Sequence, residues 1–120
     1  MAENGTILVV TENLFFLPRI QAAATAAGMT SRQTGTKPAF DEAYGAGDTA
    51  FVVIDLEADQ DTWREVLTAI KDAPGAAPTM IAYGPHTAVD LMAEARGLGC
   101  QAALPKGAFV NRLPEMFKTV

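Results

Sequence analysis

Three charged side chains in this 120-residue sequence are spaced so that they can act together on a phosphoryl group. Glu12, Asp55 and Lys106 each lie in or just after a short apolar segment. Two carboxylates and an ammonium group at one point can hold Mg²⁺, which prefers oxygen ligands, together with a phosphoryl group. A carboxylate can attack a phosphoryl donor to give an aspartyl phosphate, while a lysine neutralises charge on the phosphoryl oxygens.

The elements that must position these residues are short β-strands. The runs Thr6–Val10 and 50–56 are rich in β-branched residues and do not alternate with polar ones. This pattern predicts strands that are buried on both faces of a parallel sheet. Weaker runs of the same kind span 79–83 and 101–104, and the polar segment Thr30–Thr34 predicts an edge strand.

Helical patterns separate these runs. Apolar spacing predicts a first helix over 14–27, ended by Gly28, and a short second helix opened by Pro38.

Capping boxes at 62–65 and 87–90 predict the starts of the third and fourth helices. Pro114 predicts that the regular part of the last helix begins near Asn111, because proline fits only the first helical turn.

Five alternations of strand and helix predict an α/β fold over one domain, residues 1–120. The expected architecture is the flavodoxin-like (βα)5 three-layer sandwich, with right-handed crossovers and a parallel sheet in the order 2-1-3-4-5. Ligands bind such sheets at the carboxyl ends of the strands. Glu12, Asp55 and Lys106 are therefore expected to converge at that edge.

The sequence resembles the receiver domains of two-component response regulators over nearly its whole length. The resemblance rests on ILVV in the first strand, VVIDLE in the third, a proline before the fourth, and GLGCQAALPKGAF leading through the fifth. It implies that Asp55 is the phosphoacceptor and Lys106 the phosphoryl or ion-pair partner. It also implies that Glu12 and Asp55 stand where a Mg²⁺ ion would be held.

The sequence departs from the receiver pattern around Asp55. Receivers have two adjacent acids after the first strand, where this chain has Thr11 and Glu12, so one metal ligand is missing. The switch position on the fourth strand, normally Ser or Thr, is Tyr83, and Ala103 replaces the switch aromatic of the fifth strand. These changes together resemble the atypical receivers, or pseudo-receivers, which keep the fold and signal without ordinary phosphotransfer. No cofactor is expected, and Mg²⁺ is doubtful.

Three interpretations of Asp55 stay open. A buried unpaired carboxylate is costly, so Asp55 can form an ion pair with Lys106 that satisfies both charges. It can instead be a vestigial or modified phosphosite, or a working phosphoacceptor. Glu12 can be a solvated acid, a charge at a helix N-terminus or a metal ligand. Tyr83 can gate the site or cap the core.

Four further residues have simpler interpretations. His86 is expected to be a solvated loop residue, and Cys100 a small buried hydrophobic residue. Phe15 and Phe16 are adjacent and cannot face the same way on a helix, so one is expected to be exposed.

Charge and composition exclude some classes of partner. The chain has 9 Lys+Arg against 14 Asp+Glu, a net charge of -5, and no basic run, which argues against nucleic-acid binding. Its apolar stretches are too short for a membrane span, and residues 1–5 lack the basic stretch of a signal peptide. A single cysteine fits a reducing cytoplasm.

The sequence therefore predicts a stand-alone, non-enzymatic receiver-like module, a monomer or homodimer, that signals by binding a histidine kinase or another signalling protein. One alternative is a phosphorylatable single-domain response regulator that forms an aspartyl phosphate at Asp55. A second is a flavodoxin-like domain for a small ligand, although no glycine loop follows the first strand.

Overall fold

Five parallel strands form one central sheet in the order β2-β1-β3-β4-β5, which confirms the predicted topology. The strands are β1 Thr6–Val10, β2 Thr30–Thr34, β3 Thr49–Asp55, β4 Thr79–Gly84 and β5 Ala102–Pro105. They come from a computed structural model that describes residues 5–118. The expectation that the chain has no signal peptide concerns residues 1–5, of which 1–4 lie outside the described residues.

Helices cover both faces of this sheet and complete the predicted three layers. They are α1 Leu17–Ala26, α2 Lys37–Gly45, α3 Gln60–Asp72, α4 Val89–Gly97 and α5 Lys106–Met116. Buried side chains of α1 and α5 form one core with the sheet, and those of α2, α3 and α4 form a second core on the opposite face. None of the helices described within 5–118 is long and apolar enough to cross a bilayer.

The unbroken apolar runs of the central strands follow from this double coverage. In β1, Leu8 and Val10 face the α2–α4 core, while Ile7 and Val9 face the α1–α5 core. Successive side chains of a strand point to opposite faces, so a strand covered on both sides has apolar residues at successive positions.

The first helix is shorter than its apolar pattern predicted. It begins at Leu17 rather than near residue 14, because Pro18 lies in its first turn and a turn from Leu17 N–H to Leu14 C=O precedes it. Gly28 follows it with φ +73°, a left-handed conformation that favours glycine, as the predicted helix stop requires.

Neither of the two predicted capping boxes forms. Asp59, not Thr62, caps α3, and its carboxylate accepts the Thr62 N–H at 2.9 Å. Helix α4 begins directly after Ala88, whose side chain makes no capping hydrogen bond. A turn in which Ala88 N–H donates to Pro85 C=O at 2.9 Å leads into this helix instead.

The start predicted for the last helix was also wrong. It begins at Lys106, directly after β5, and Pro114 lies inside it. Burial of Phe109 and Leu113 against the sheet holds the helix together on both sides of residue 111. Because the proline lies close to the helix end, its missing N–H deprives only the Val110 carbonyl of a helical donor.

Candidate functional site

Asp55 ends β3 at the carboxyl edge of the sheet and is almost completely buried, with 4% of its surface exposed. Each of its carboxylate oxygens has a protein donor. The Thr11 hydroxyl donates to Oδ2 at 2.7 Å, and the Glu57 backbone N–H donates to Oδ1 at 2.9 Å. Hydrogen bonds to an ionised acceptor are the strong ones, so these two contacts offset much of the cost of burying the charge.

Thr11 is held in place by its own neighbours. Its hydroxyl oxygen accepts the Asn13 N–H at 3.0 Å, and its backbone carbonyl accepts a hydrogen bond from the Gln33 side chain. A hydroxyl has a single proton, and the carboxylate of Asp55 at 2.7 Å is a closer and stronger acceptor for it than the Asn13 carbonyl at 3.2 Å. The structure therefore puts a neutral, fixed donor where the resemblance placed a second acid.

Lys106 pairs with Glu57, and no ion pair between Lys106 and Asp55 forms within residues 5–118, so the first of the three open interpretations of Asp55 is not the arrangement found. The side chains of both partners are partly exposed, at 38% for Lys106 and 49% for Glu57. Lys106 is the first residue of α5, and its ammonium group stays hydrated while it reaches Glu57. Asp55 lies deeper and is satisfied by neutral donors, so it does not require the lysine.

Tyr83 is buried beside Asp55, its register partner on the neighbouring strand, and its ring packs into the core between the sheet and α5. Its ring stacks on Phe109, with centroids 4.4 Å apart, and meets Phe16 edge-on at 5.5 Å. Burial raises the pKa of the Tyr83 phenol and the charge of Asp55 raises it further, while the Thr11 hydroxyl acts in the opposite direction. The phenol therefore stays protonated at neutral pH.

A recess remains beside Asp55, and Tyr83 lines it without filling it. Its volume is about 100 Å³, and Glu57, Lys106 and the two phenylalanines Phe15 and Phe16 also line it. One water molecule needs roughly 10–15 Å³ of such space, so the recess has room for several. We call this space the Asp55 recess.

Ala103, the other switch position, is buried in β5 and pairs with Ala82 of β4. Its methyl group cannot perform the ring movement of a switch aromatic. On the opposite face of the sheet, Phe109 and Phe16 contact each other and Tyr83, a role that the sequence did not predict for them. Their helical spacing indicated only that they could be core residues.

The residues present do not fit a Mg²⁺ site. Glu12 is exposed, and its carboxylate accepts a hydrogen bond from the Asp59 N–H at 3.3 Å, at the start of α3. Thr11 offers a proton to Asp55 where a second carboxylate would offer a negative charge. Within residues 5–118 no three acidic, histidine or cysteine groups are placed to hold a metal ion.

The simpler expectations about other residues are confirmed. His86 is exposed in the loop after β4. Cys100 is buried, and this burial raises the pKa of its thiol to about 12. Phe15 is 73% exposed while Phe16 is half-buried.

Three solved structures have the same fold as this chain. A response regulator of Thermotoga maritima has 12% identity and a TM-score of 0.74, with 95% of this chain and 98% of that chain covered. A response regulator of Burkholderia pseudomallei, solved with a phosphorylated aspartic acid, calcium and citrate, has 20% identity and a TM-score of 0.75, with coverages of 96% and 67%. The receiver domain of Saccharomyces cerevisiae Ssk1, solved with the histidine phosphotransfer protein Ypd1, has 13% identity and a TM-score of 0.72, with coverages of 94% and 88%.

No family model and no curated protein matches the sequence. At these identities the structural likeness establishes the fold, which is that of a response-regulator receiver domain.

Proposed function

We propose that this chain is a receiver-like signalling module that acts by binding another protein and does not use ordinary phosphotransfer at Asp55. The observation that carries the proposal is the 2.7 Å hydrogen bond from Thr11 to Asp55. It fixes a neutral hydroxyl beside the carboxylate where a second acid would help to hold a cation. Without that cation, Lys106 alone is left at this edge to offset the charge of an incoming phosphate beside the carboxylates of Asp55 and Glu57.

The state of Lys106 supports the same proposal. Its ammonium group is paired with Glu57, so it would have to leave this partner before it could neutralise a phosphoryl oxygen. Tyr83 puts a bulky ring where a small switch hydroxyl would stand, and contacts with Phe109 and Phe16 hold that ring in place. A binding partner of the protein class is proposed because a neighbour in fold, the Ssk1 receiver domain, was solved in complex with a signalling protein.

One observation favours a second candidate, a phosphorylatable receiver. The Asp55 recess has room beside the carboxylate, and Lys106 lines it. In this case an Asp55 oxygen would form the new bond to phosphorus while the bond between phosphorus and the donor's leaving group breaks.

Intact-mass spectrometry after incubation with acetyl phosphate and Mg²⁺ separates the two candidates. The proposal expects no phosphoryl adduct on the wild-type chain. A stoichiometric adduct that is absent in Asp55→Asn would overturn the proposal and establish the second candidate.

Thr11→Asp tests the physical reason for the proposal. This substitution replaces the neutral donor by a carboxylate and is expected to create Mg²⁺ binding measurable by calorimetry. Thr11→Asn, which has a side chain of the same shape without the charge, is the matched control and is expected to bind no Mg²⁺. Equal Mg²⁺ binding by wild type and Thr11→Asp would contradict the role assigned to Thr11.

A further inference from the structure

A surface groove of about 430 Å³ lies between α1 and α5, on the face opposite α2–α4. Small or apolar side chains line much of it, among them Ala22 and Ala26 of α1 and Val110 and Pro114 of α5. We call it the α1–α5 groove. The ten residues of α1 span about 15 Å at 1.5 Å per residue, which matches roughly three turns of a docked helix.

Two cations line the same groove at opposite ends. Arg19 is in the first turn of α1, and Lys118 follows the end of α5. Since both helices follow parallel strands of one sheet, they run in the same direction, and the start of one is far from the end of the other. Arg19 forms no ion pair within residues 5–118. Within the same residues Lys118 pairs only with Glu115, an exposed residue of α5 three positions earlier in the chain.

The lining of the α1–α5 groove has two basic side chains, Arg19 and Lys118, and no acidic one, although the chain as a whole is acidic. Residues 17–26 and 106–118 carry four basic side chains and one acidic one, in a chain with a net charge of -5. The helices α2, α3 and α4 together carry seven acidic and four basic side chains. Of the four basic side chains in residues 17–26 and 106–118, Lys106 and Arg112 lie outside the groove, which combines apolar walls with the two cations Arg19 and Lys118.

We propose that the α1–α5 groove binds an acidic amphipathic helix of a partner protein. Such a helix lays its apolar stripe into a groove, and its flanking carboxylates would meet Arg19 and Lys118. This inference rests on the proposed function and names the partner chemistry.

Charge and shape favour this occupant over two others. A second copy in a two-fold arrangement would bring the same basic face against itself, and like charges facing each other across an interface are unfavourable. An anionic membrane would meet the basic side chains, but apolar insertion needs side chains that protrude, whereas these line a concavity.

A displayed library of helical peptides tests the proposal directly. Each peptide has a fixed leucine stripe and random Asp, Glu, Lys, Arg or Ser at the flanking positions, and the bait is the full chain. The expected result is enrichment of Asp and Glu at the flanks. Fluorescence anisotropy with a selected acidic peptide then measures affinity for the variants.

Arg19→Glu and Ala26→Trp are expected to weaken this peptide roughly ten-fold or more, by reversing a groove charge and by filling the groove. Arg112→Glu is the matched control, since Arg112 is an exposed α5 cation outside the α1–α5 groove that forms no ion pair within residues 5–118. It is expected to change affinity less than two-fold or so, by long-range charge alone. Circular dichroism and a thermal melt confirm that each variant is folded.

Three results would overturn the proposal: no acidic enrichment, equal loss in Arg19→Glu and Arg112→Glu, or peptide binding that survives both groove variants. Binding to phosphatidylserine vesicles that Ala26→Trp abolishes, with no peptide selected, would assign the groove to a membrane. Concentration-dependent dimerisation that Arg19→Glu alters would assign it to a second copy. None of these outcomes depends on the Asp55 phosphorylation assay, so the failure of one proposal is distinguishable from the failure of the other.

Discussion

Replacing Thr11 by valine removes the hydroxyl that binds Asp55 and keeps the shape of the side chain. The lost hydrogen bond is buried, 2.7 Å long and made to a carboxylate. Hydrogen bonds to charged groups contribute about 1.5–3 kcal/mol. The Asn13 N–H also loses its acceptor, which adds about 0.5–1.5 kcal/mol. We therefore expect Thr11→Val to lower the free energy of unfolding by about 3 kcal/mol.

Urea denaturation followed by circular dichroism measures this loss. With a slope of about 1.5 kcal/mol per molar urea, the midpoint should fall by about 2 M without a change in slope. Thr11→Ser keeps the hydroxyl and loses one methyl group, so its cost should be only about 1 kcal/mol. Thr34→Val is the matched control, because the buried Thr34 hydroxyl has no hydrogen-bond partner among the described residues. It should be neutral or stabilising.

A double-mutant cycle tests whether the loss comes from the contact with Asp55. In an Asp55→Asn background the acceptor is uncharged, so Thr11→Val should cost less, with a coupling energy of about 1–2 kcal/mol. The reasoning is refuted if Thr11→Val and Thr34→Val are equally mild. A coupling energy near zero would also refute it, because the two side chains would then be energetically independent.

Three further outcomes test the core and the surface. Phe109→Ala should lower the free energy of unfolding by about 3–5 kcal/mol, because it removes a buried ring that is stacked on another ring. Phe15→Ala should change the free energy of unfolding by less than about 0.5 kcal/mol, because Phe15 is exposed. Urea titrations of the two variants measure both effects. The Cys100 thiol, whose pKa burial raises to about 12, should react with Ellman's reagent at pH 8 only once urea unfolds the chain; fast reaction of the native protein would contradict its burial. The hydrogen bond from Arg64 lowers the pKa of Glu94, so the stability that Glu94 contributes is present above its unfolded pKa and lost as the pH falls through the lower, folded pKa. The stability difference between wild type and Glu94→Gln should thus be larger at pH 7 than at pH 3, and a difference independent of pH would contradict this pairing.

Local patterns in the sequence were sufficient for the fold and for the place of the site. Unbroken β-branched runs such as Thr6–Val10 are possible only where helices cover both faces of a sheet. Strict alternation of strand and helix then leaves few topologies. Because parallel strands present their carboxyl ends at one edge, Asp55 and Lys106 were correctly expected there.

Helix starts were harder to predict, because competing caps are close in free energy. Asp59 and Thr62 are both good capping residues, and the choice between them depends on how the chain leaves β3. Pro114 predicts a helix start near Asn111. In the structure, burial of Phe109 and Leu113 on either side of residue 111 outweighs the loss of one backbone hydrogen bond at the proline.

The partners of the charged residues were decided by the tertiary structure. The sequence by itself determined that a carboxylate at position 55 would be buried and would need a partner. The positions of the side chains in the folded protein determined which partner Asp55 has. The Thr11 hydroxyl is close enough to donate to Asp55, whereas the Lys106 ammonium group pairs with Glu57. These distances are set by the packing of α5 against the sheet, which no spacing along the chain encodes. The basic α1–α5 groove is a tertiary feature for the same reason, since it joins cations about a hundred residues apart.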